Sequence, residues 1–353
     1  MPDAQTMQST RRRIWAISDG RASNEAQALG LAEAVARLLP ADIEVKRTML
    51  LPGLRVAPAR VWAAIPPRRG GWPFSGLADR GAALAGPWPD LAIGAGRRSA
   101  PLVAAMRAID RREGGRLGAV QLMDPRMAAR AFDLVIVPEH AGARGPNLIR
   151  TCGALNRVLP DRLAEAAARW APRLGALPRP RVAVLVGGPS GAARIDRAAA
   201  GRLIGQLARL AAGGAGLMVT PSARTPPELG RRLAEALGGF ESFVWDCAGD
   251  NPYLAMLALA DAIVVTGDSV SMTSEAASTG RPVLVAALGP LRARIGRFQE
   301  RMRAAGYTRP FTGALESWAY EPLREADRVA PRVAALLAPA PEPLPESGGE
   351  SRP

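Results

Sequence analysis

The chain has 353 residues, 48% of them apolar and 22% charged, which suits roughly two buried cores and excludes a peptide, a fibre or a disordered protein. Its net charge of +14 is carried almost wholly by arginine, since Lys46 is the only lysine, and the 5% aromatic content is too sparse for a base-stacking nucleic-acid platform. Two cysteines, Cys152 and Cys247, and a single histidine, His140, exclude a disulfide framework and a Cys/His zinc cluster, so neither a metal nor a cofactor is expected.

Arg13 to Ser18 reads as a first strand, Asp19 to Ser23 as a loop, and Asn24 to Leu39 as an amphipathic helix stopped by Pro40. Strands follow at Ile43 to Thr48, Asp90 to Ile93, Gly118 to Leu122 and Leu134 to Val137, with helices near Ala78 to Leu84 and Ser99 to Ile109. This alternation is that of an α/β protein with a parallel sheet wrapped by helices, and it makes a first domain over 1–170. The proline-interrupted run from Ala171 to Arg181 reads as a linker.

The pattern then restarts in a second domain over 182–337. Arg181 to Val186 is a strand, Gly187-Gly-Pro-Ser-Gly191 a glycine-rich loop, and Arg197 to Ala212 a helix. Strands are predicted at Leu217 to Thr220, Ser242 to Trp245, Ala262 to Thr266 and Val283 to Ala286. Helices are predicted near Glu228 to Leu237, Tyr253 to Leu259, Ser271 to Thr279 and Arg292 to Ala305. The proline- and glutamate-rich tail, 338–353, has too little apolar surface to fold. The longest apolar stretch, Tyr253 to Val265, contains Asp261 and falls short of the roughly 18 residues of a bilayer span. Ile14 to Ile17 is too short for a signal-peptide core, so a cytoplasmic address is expected.

In open parallel sheets ligands gather at the carboxyl ends of strands, and the unusual residues of this chain fall there. The richest segment, Thr266-Gly-Asp-Ser-Val-Ser-Met-Thr-Ser-Glu275, runs from a strand end into a helix start. Asp268 or Ser269 suffices as a cap, and the surplus of Ser271 and Thr273 points to an anion such as a phosphate or diphosphate on the free amides. Glu275, a turn later, can accept from sugar hydroxyls. Gly187, Gly188 and Ser190 form a loop that lets backbone approach an anion, without the lysine ending of a Walker loop; Arg224 follows another strand and suits a phosphate. Gly94-Ala-Gly96-Arg-Arg-Ser99 lacks the third glycine of a dinucleotide fingerprint. In the first half Asp19, Glu139 and His140 end strands and are the candidate bases. Gly267-Asp268-Ser269 resembles the nucleophile block of GDS-type esterases, but His140 precedes the serine and no Gly-x-Ser-x-Gly elbow occurs.

Trp15-Ala-Ile-Ser-Asp-Gly-Arg-Ala-Ser-Asn-Glu-Ala-Gln-Ala-Leu-Gly30, Val137-Pro-Glu-His140, Pro146-Asn147, Gly187-Gly-Pro-Ser-Gly191, Gly249-Asp-Asn-Pro-Tyr253 and the Thr266 to Glu275 block resemble the mitochondrial-fission Elm family of plants and its bacterial relatives, over about Arg13 to Leu337. The second half is also distantly similar to the donor domain of GT-B glycosyltransferases. That resemblance implies two Rossmann-like domains facing a cleft, with Ser269, Ser271 and Thr273 at a nucleotide-sugar diphosphate, Glu275 at the ribose and Arg224 at a phosphate. It implies metal-independent sugar transfer to an envelope-related acceptor, with Asp19, Glu139 or His140 as base. The Elm resemblance implies instead a non-catalytic adaptor for a protein partner or an anionic membrane surface, peripheral at the inner membrane in a bacterial cell. Nucleic acid is not an expected partner.

Overall fold

The computed structural model describes residues 11–338, apart from 55–57, 59–60, 63 and 191–192. Gly191 of the glycine-rich loop and the tail from 339 onward, expected to be disordered, lie outside the described residues.

The first lobe opens with β1 (Arg12–Ser18), α1 (Ala22–Ala36) and β2 (Ala41–Arg47). After a long connector come β3 (Leu91–Ala95), α2 (Ala100–Arg112), β4 (Gly118–Leu122), β5 (Leu134–Pro138) and β6 (Leu148–Thr151). All pairings are parallel, in the order β2-β1-β3-β4-β5-β6. The central strands are apolar on both faces because both faces are covered: Ile14 and Ala16 meet α1, while Trp15 and Ile17 meet α2 and the connector. The helix predicted over Ala78 to Leu84 is reduced to a three-residue 3-10 turn at Ala82–Leu84. Gly81 precedes that turn with φ +93°, a conformation that no helix continues through.

The second lobe holds β7 (Arg181–Val186), β8 (Gly216–Pro221), β9 (Ser242–Val244), β10 (Ala262–Thr266), β11 (Val283–Ala286) and β12 (Thr308–Pro310), parallel in the order β12-β11-β10-β7-β8-β9. A further helix, α3 (Pro160–Leu174), precedes this sheet. The lobe's other helices are α4 (Arg197–Ala212), α5 (Pro227–Leu237), α6 (Tyr253–Leu259), α7 (Val270–Ala277) and α8 (Ala293–Ala304), and α9 (Glu325–Ala334) follows near the end of the described chain.

Two helices cross between lobes. α3 runs into the expected linker, and its Leu163, Ala166, Trp170 and Leu174 pack with Met256 and Leu257 of the second lobe. α9 returns to the first lobe, where Ala326, Val329, Ala330 and Val333 lie against Ala28, Leu31 and Val35 of α1. Each lobe therefore carries a helix contributed from across the sequence boundary. Among the described residues no helix is long and apolar enough to cross a membrane.

Candidate functional site

Each sheet reverses its strand order once, between β1 and β3 in the first lobe and between β7 and β10 in the second. At such a point the loops leaving two adjacent strands diverge and open a crevice above the sheet edge. The Asp19 loop follows β1, and the Gly187-Gly188 and Gly267-Asp268-Ser269 loops follow β7 and β10. Four of the predicted site residues thus meet at the second crevice through topology alone.

Asp268 organises that crevice. Its buried carboxylate accepts from the Gly188 amide at 3.0 Å, the Thr266 hydroxyl at 2.7 Å and the Arg224 guanidinium at 3.1 Å. Thr266 Oγ1 accepts in turn from the Gly187 amide at 2.7 Å. Arg224 also donates to the Gly188 carbonyl at 2.6 Å, so the guanidinium is bound to the loop on one side while 41% of its side chain remains exposed. The glycines are required here: a Cβ on Gly187 would sit 2.2 Å from Asp268 Oδ2, and one on Gly188 1.9 Å from the Arg224 carbonyl oxygen. Ser190 is exposed, its backbone paired with Ala193.

The α7 start divides its hydroxyls between structure and opening. Ser269 is the N-cap and accepts from the Met272 amide at 3.2 Å. Thr273 is fully buried; it donates to the Ser269 carbonyl at 2.9 Å and accepts from Gln299 of α8 at 3.2 Å, so it shapes the turn from within. Ser271 is half-buried, and with the first-turn amides of Val270 and Ser271, which have no carbonyl behind them, it provides donors at the positive end of the helix. One turn on, Glu275 receives the Tyr253 hydroxyl at 2.5 Å, and burial pushes its carboxyl up to about 7 against that hydrogen bond.

Of the first-lobe candidate bases, Asp19 lies apart from Glu139 and His140. Asp19 is held by Asn24 at 2.8 Å, with Arg98 at 3.6 Å and Arg21 at 3.7 Å. His140 follows β5, three strand spacings or about 14 Å along the sheet from β1, so the two cannot share a proton directly. His140 stands edge-on to Phe298 of α8 across the lobes, ring centroids 5.4 Å apart. Phe298 belongs to the apolar cluster against which Val270 of the α7 start packs. Burial, then the charges of Arg294 and Arg297, lower the imidazole to about 4, leaving it neutral at pH 7. Glu139 is paired with Arg301 of α8 across the same gap. A cleft of about 930 Å³ lies there, lined by Glu139, His140, Arg297, Glu300, Arg301 and Tyr307 among others. A second hollow, about 480 Å³, opens at the ends of β8 and β9 beside Trp245, Pro226 and Thr225.

The structure thus brings Gly187, Gly188, Arg224, Asp268, Ser269 and Ser271 together and sets His140 and Glu139 opposite α8, while Asp19 belongs to the first-lobe crevice. Arg294, Arg297 and Arg301 were absent from the sequence reading. Their spacing of three and four residues puts them on one face of the predicted helix, a signal that lies outside the strand-end loops.

The profile of the mitochondrial fission ELM1 family matches residues 22–337. The mitochondrial fission protein ELM1 of Arabidopsis thaliana is 34% identical over 246 residues, and the match covers 62% of this chain and 58% of that protein, so the chain spans less than two thirds of that relative's length. An uncharacterized protein of Rickettsia prowazekii is 25% identical over 360 residues, covering 90% of this chain and 96% of its own. Among solved structures, the UDP-GlcNAc 2-epimerase of Methanocaldococcus jannaschii superposes with a TM-score of 0.55 at 10% identity, over 92% of this chain and 99% of that one, a likeness of fold.

Proposed function

The chain belongs to the mitochondrial fission ELM1 family and has a two-lobed, GT-B-like fold, and from that premise we propose that it binds a nucleotide-sugar in its second lobe and transfers the sugar to an acceptor held by the first. The observation that carries this reading is the switch point between β7 and β10, where two close-packed glycines and Asp268 stand beside the α7 start, whose first-turn amides and Ser271 hydroxyl are the donors left for an anion. The diphosphate lies on the Val270 and Ser271 amides beside the free edge of Arg224, as anions do at helix starts. The nucleoside occupies the hollow by Trp245, and Glu275 accepts from its ribose. The acceptor, envelope-related in kind, approaches from the 930 Å³ cleft.

An acceptor hydroxyl attacks the anomeric carbon, the bond from that carbon to the diphosphate oxygen breaks, and His140 takes the hydroxyl proton. The departing diphosphate keeps the electron pair and is stabilised by amides, Arg224 and the helix dipole. Neutral His140 can accept a proton, and an anionic ligand entering beside Arg294 and Arg297 offsets their field and raises its basicity.

Calorimetry with uridine, guanosine, cytidine and adenosine diphosphates tests the reading. One of them binds below millimolar levels, and Glu275→Ala weakens it at least about tenfold, the loss of one charge-assisted bond. His140→Gln retains nucleotide binding and loses transfer. Absence of nucleotide binding at millimolar concentration overturns the proposal and leaves the non-catalytic adaptor.

A further inference from the structure

Of the large apolar side chains left exposed among the described residues, six of seven lie between Leu38 and Ile65, and four of these, Met49, Leu51, Val61 and Ile65, belong to the connector between β2 and β3. Exposed apolar residues scattered singly need no explanation; a concentration in one segment does.

The connector has a small core of its own. Leu50 and Trp62 are buried with Phe74 and Leu77, and Trp72 lies 4.6 Å from Trp62. Exposed apolar side chains stand beside Leu50 and Trp62. Met49 and Leu51 are 57% and 42% exposed on either side of Leu50, as alternation along extended chain dictates, and Val61 and Ile65, 49% and 48% exposed, stand four residues apart around Trp62. The display is fixed rather than loose: the Ala78 amide donates to the Met49 carbonyl at 2.7 Å, and the Leu51 amide to the Gly76 carbonyl at 3.0 Å. The two stretches converge, since a Cβ on Gly76 would meet Leu54 at 2.7 Å, Trp62 at 3.3 Å and Trp72 at 3.4 Å.

The connector's own charge is mostly positive. Residues 48–89 hold five arginines and one acid, Asp79. Arg68 and Arg69 follow Ile65 at the surface, and Arg69 lies 3.8 Å over the Trp88 ring. Apolar tips on a rigid support, edged by arginine, fit a bilayer interface: the tips enter the boundary between headgroups and acyl chains while guanidinium groups meet lipid phosphates. The surface offers protruding apolar tips beside the exposed Arg68, while Arg69 is shared with Glu113 at 2.6 Å.

We propose that the connector surface formed by Met49, Leu51, Val61 and Ile65, edged by Arg68, is a docking site for a membrane surface containing anionic phospholipid. The site is separate from the nucleotide crevice and stands without it.

Sedimentation with vesicles of phosphatidylcholine, alone and mixed with phosphatidylglycerol, tests the proposal on the full chain. The wild type pellets with the mixed vesicles and much less with phosphatidylcholine alone. Arg68→Ala lowers partitioning about fivefold, the worth of one basic residue near an anionic surface. Leu51→Glu combined with Ile65→Glu abolishes it, and Leu51→Ser with Ile65→Ser, a milder pair retained if the first fails to fold, reduces it. Phe240→Glu, an exposed apolar site in the other lobe, leaves it unchanged. A wild type that stays in the supernatant, equal binding to both vesicles, an equal loss in Phe240→Glu, or full binding by the Leu51/Ile65 variants overturns the proposal. Light scattering that shows a dimer dissociated by Leu51→Glu also overturns it, because the surface then belongs to a second copy. Nucleotide calorimetry on the same variants is unchanged, so failure here and failure of the donor site are read separately.

Discussion

At the scale of single residues, the carboxyl of Glu275 takes the Tyr253 hydroxyl at 2.5 Å, yet burial outweighs that bond and raises it to about 7. An acid raised in the fold favours the protonated native state, so its contribution is fully present below the unfolded value of 4.5 and is lost as pH rises through about 7. Glu275→Gln removes that dependence. Denaturant unfolding at pH 5 and pH 8 will show the variant gaining on the wild type at the higher pH, by roughly 3 kcal/mol if the full shift is expressed. Asp268 makes the opposite prediction. Asp268→Ala leaves the Gly188 amide and Arg224 without their acceptor, and urea denaturation will register a loss of about 2 kcal/mol, with weakened nucleotide binding because the loop is freed. Both residues stood out in the sequence, Asp268 as a candidate cap and Glu275 as an acceptor a turn further on. What each does was not legible there, because capping, bracing a loop and facing a ligand draw on the same side-chain types.

At the scale of elements, the strands of both sheets were legible because continuous apolar runs bounded by glycine, proline and aspartate have one good solution when both faces are covered. Of the four edge strands, β2 and β9 were legible and β6 and β12 were not. β6 (Leu148–Thr151) and β12 (Thr308–Pro310) are short and partly exposed, and their pairing depends on a neighbour already in place. The loop after β7 shows the same dependence from the other side. Gly188→Ala will collide with the Arg224 carbonyl, a backbone atom that cannot rotate away. Nucleotide affinity, measured by calorimetry, will fall at least about tenfold, the equivalent of one lost hydrogen bond or more, and the thermal midpoint will drop. Ser269→Ala will cost about 1 kcal/mol in denaturant titration, the usual worth of an N-cap, and exceeds that in nucleotide binding only if the cap also orients the first-turn amides.

At the scale of the whole molecule, the lobes are tied by exchanged helices and by polar bonds between the segment after β6 and α7. The Ala154 amide donates to Ser274 at 2.9 Å, and Asn156 donates to Ser278 at 3.0 Å. Removing the chain from Arg324 onward strips Val329, Val333 and Leu337 from the first-lobe core and uncovers Leu31 and Val35. Calorimetry of that truncation will show the first lobe destabilised by on the order of 5 kcal/mol, from three apolar side chains at about 2 kcal/mol each. The second lobe, which keeps α3, will be affected less. By itself the sequence determined the α/β class, two parallel-sheet halves and the loops at which chemistry gathers, because period and strand-end chemistry are local properties of the chain. The tertiary structure alone decided that α3 and α9 change lobes, that His140 faces the arginines of α8 while Asp19 stands three strands away, and that Thr273 is sealed inside its own turn. An amphipathic helix states that it has an apolar face and is silent about which lobe will cover it, and distances between loops are set by strand order, which no local pattern encodes.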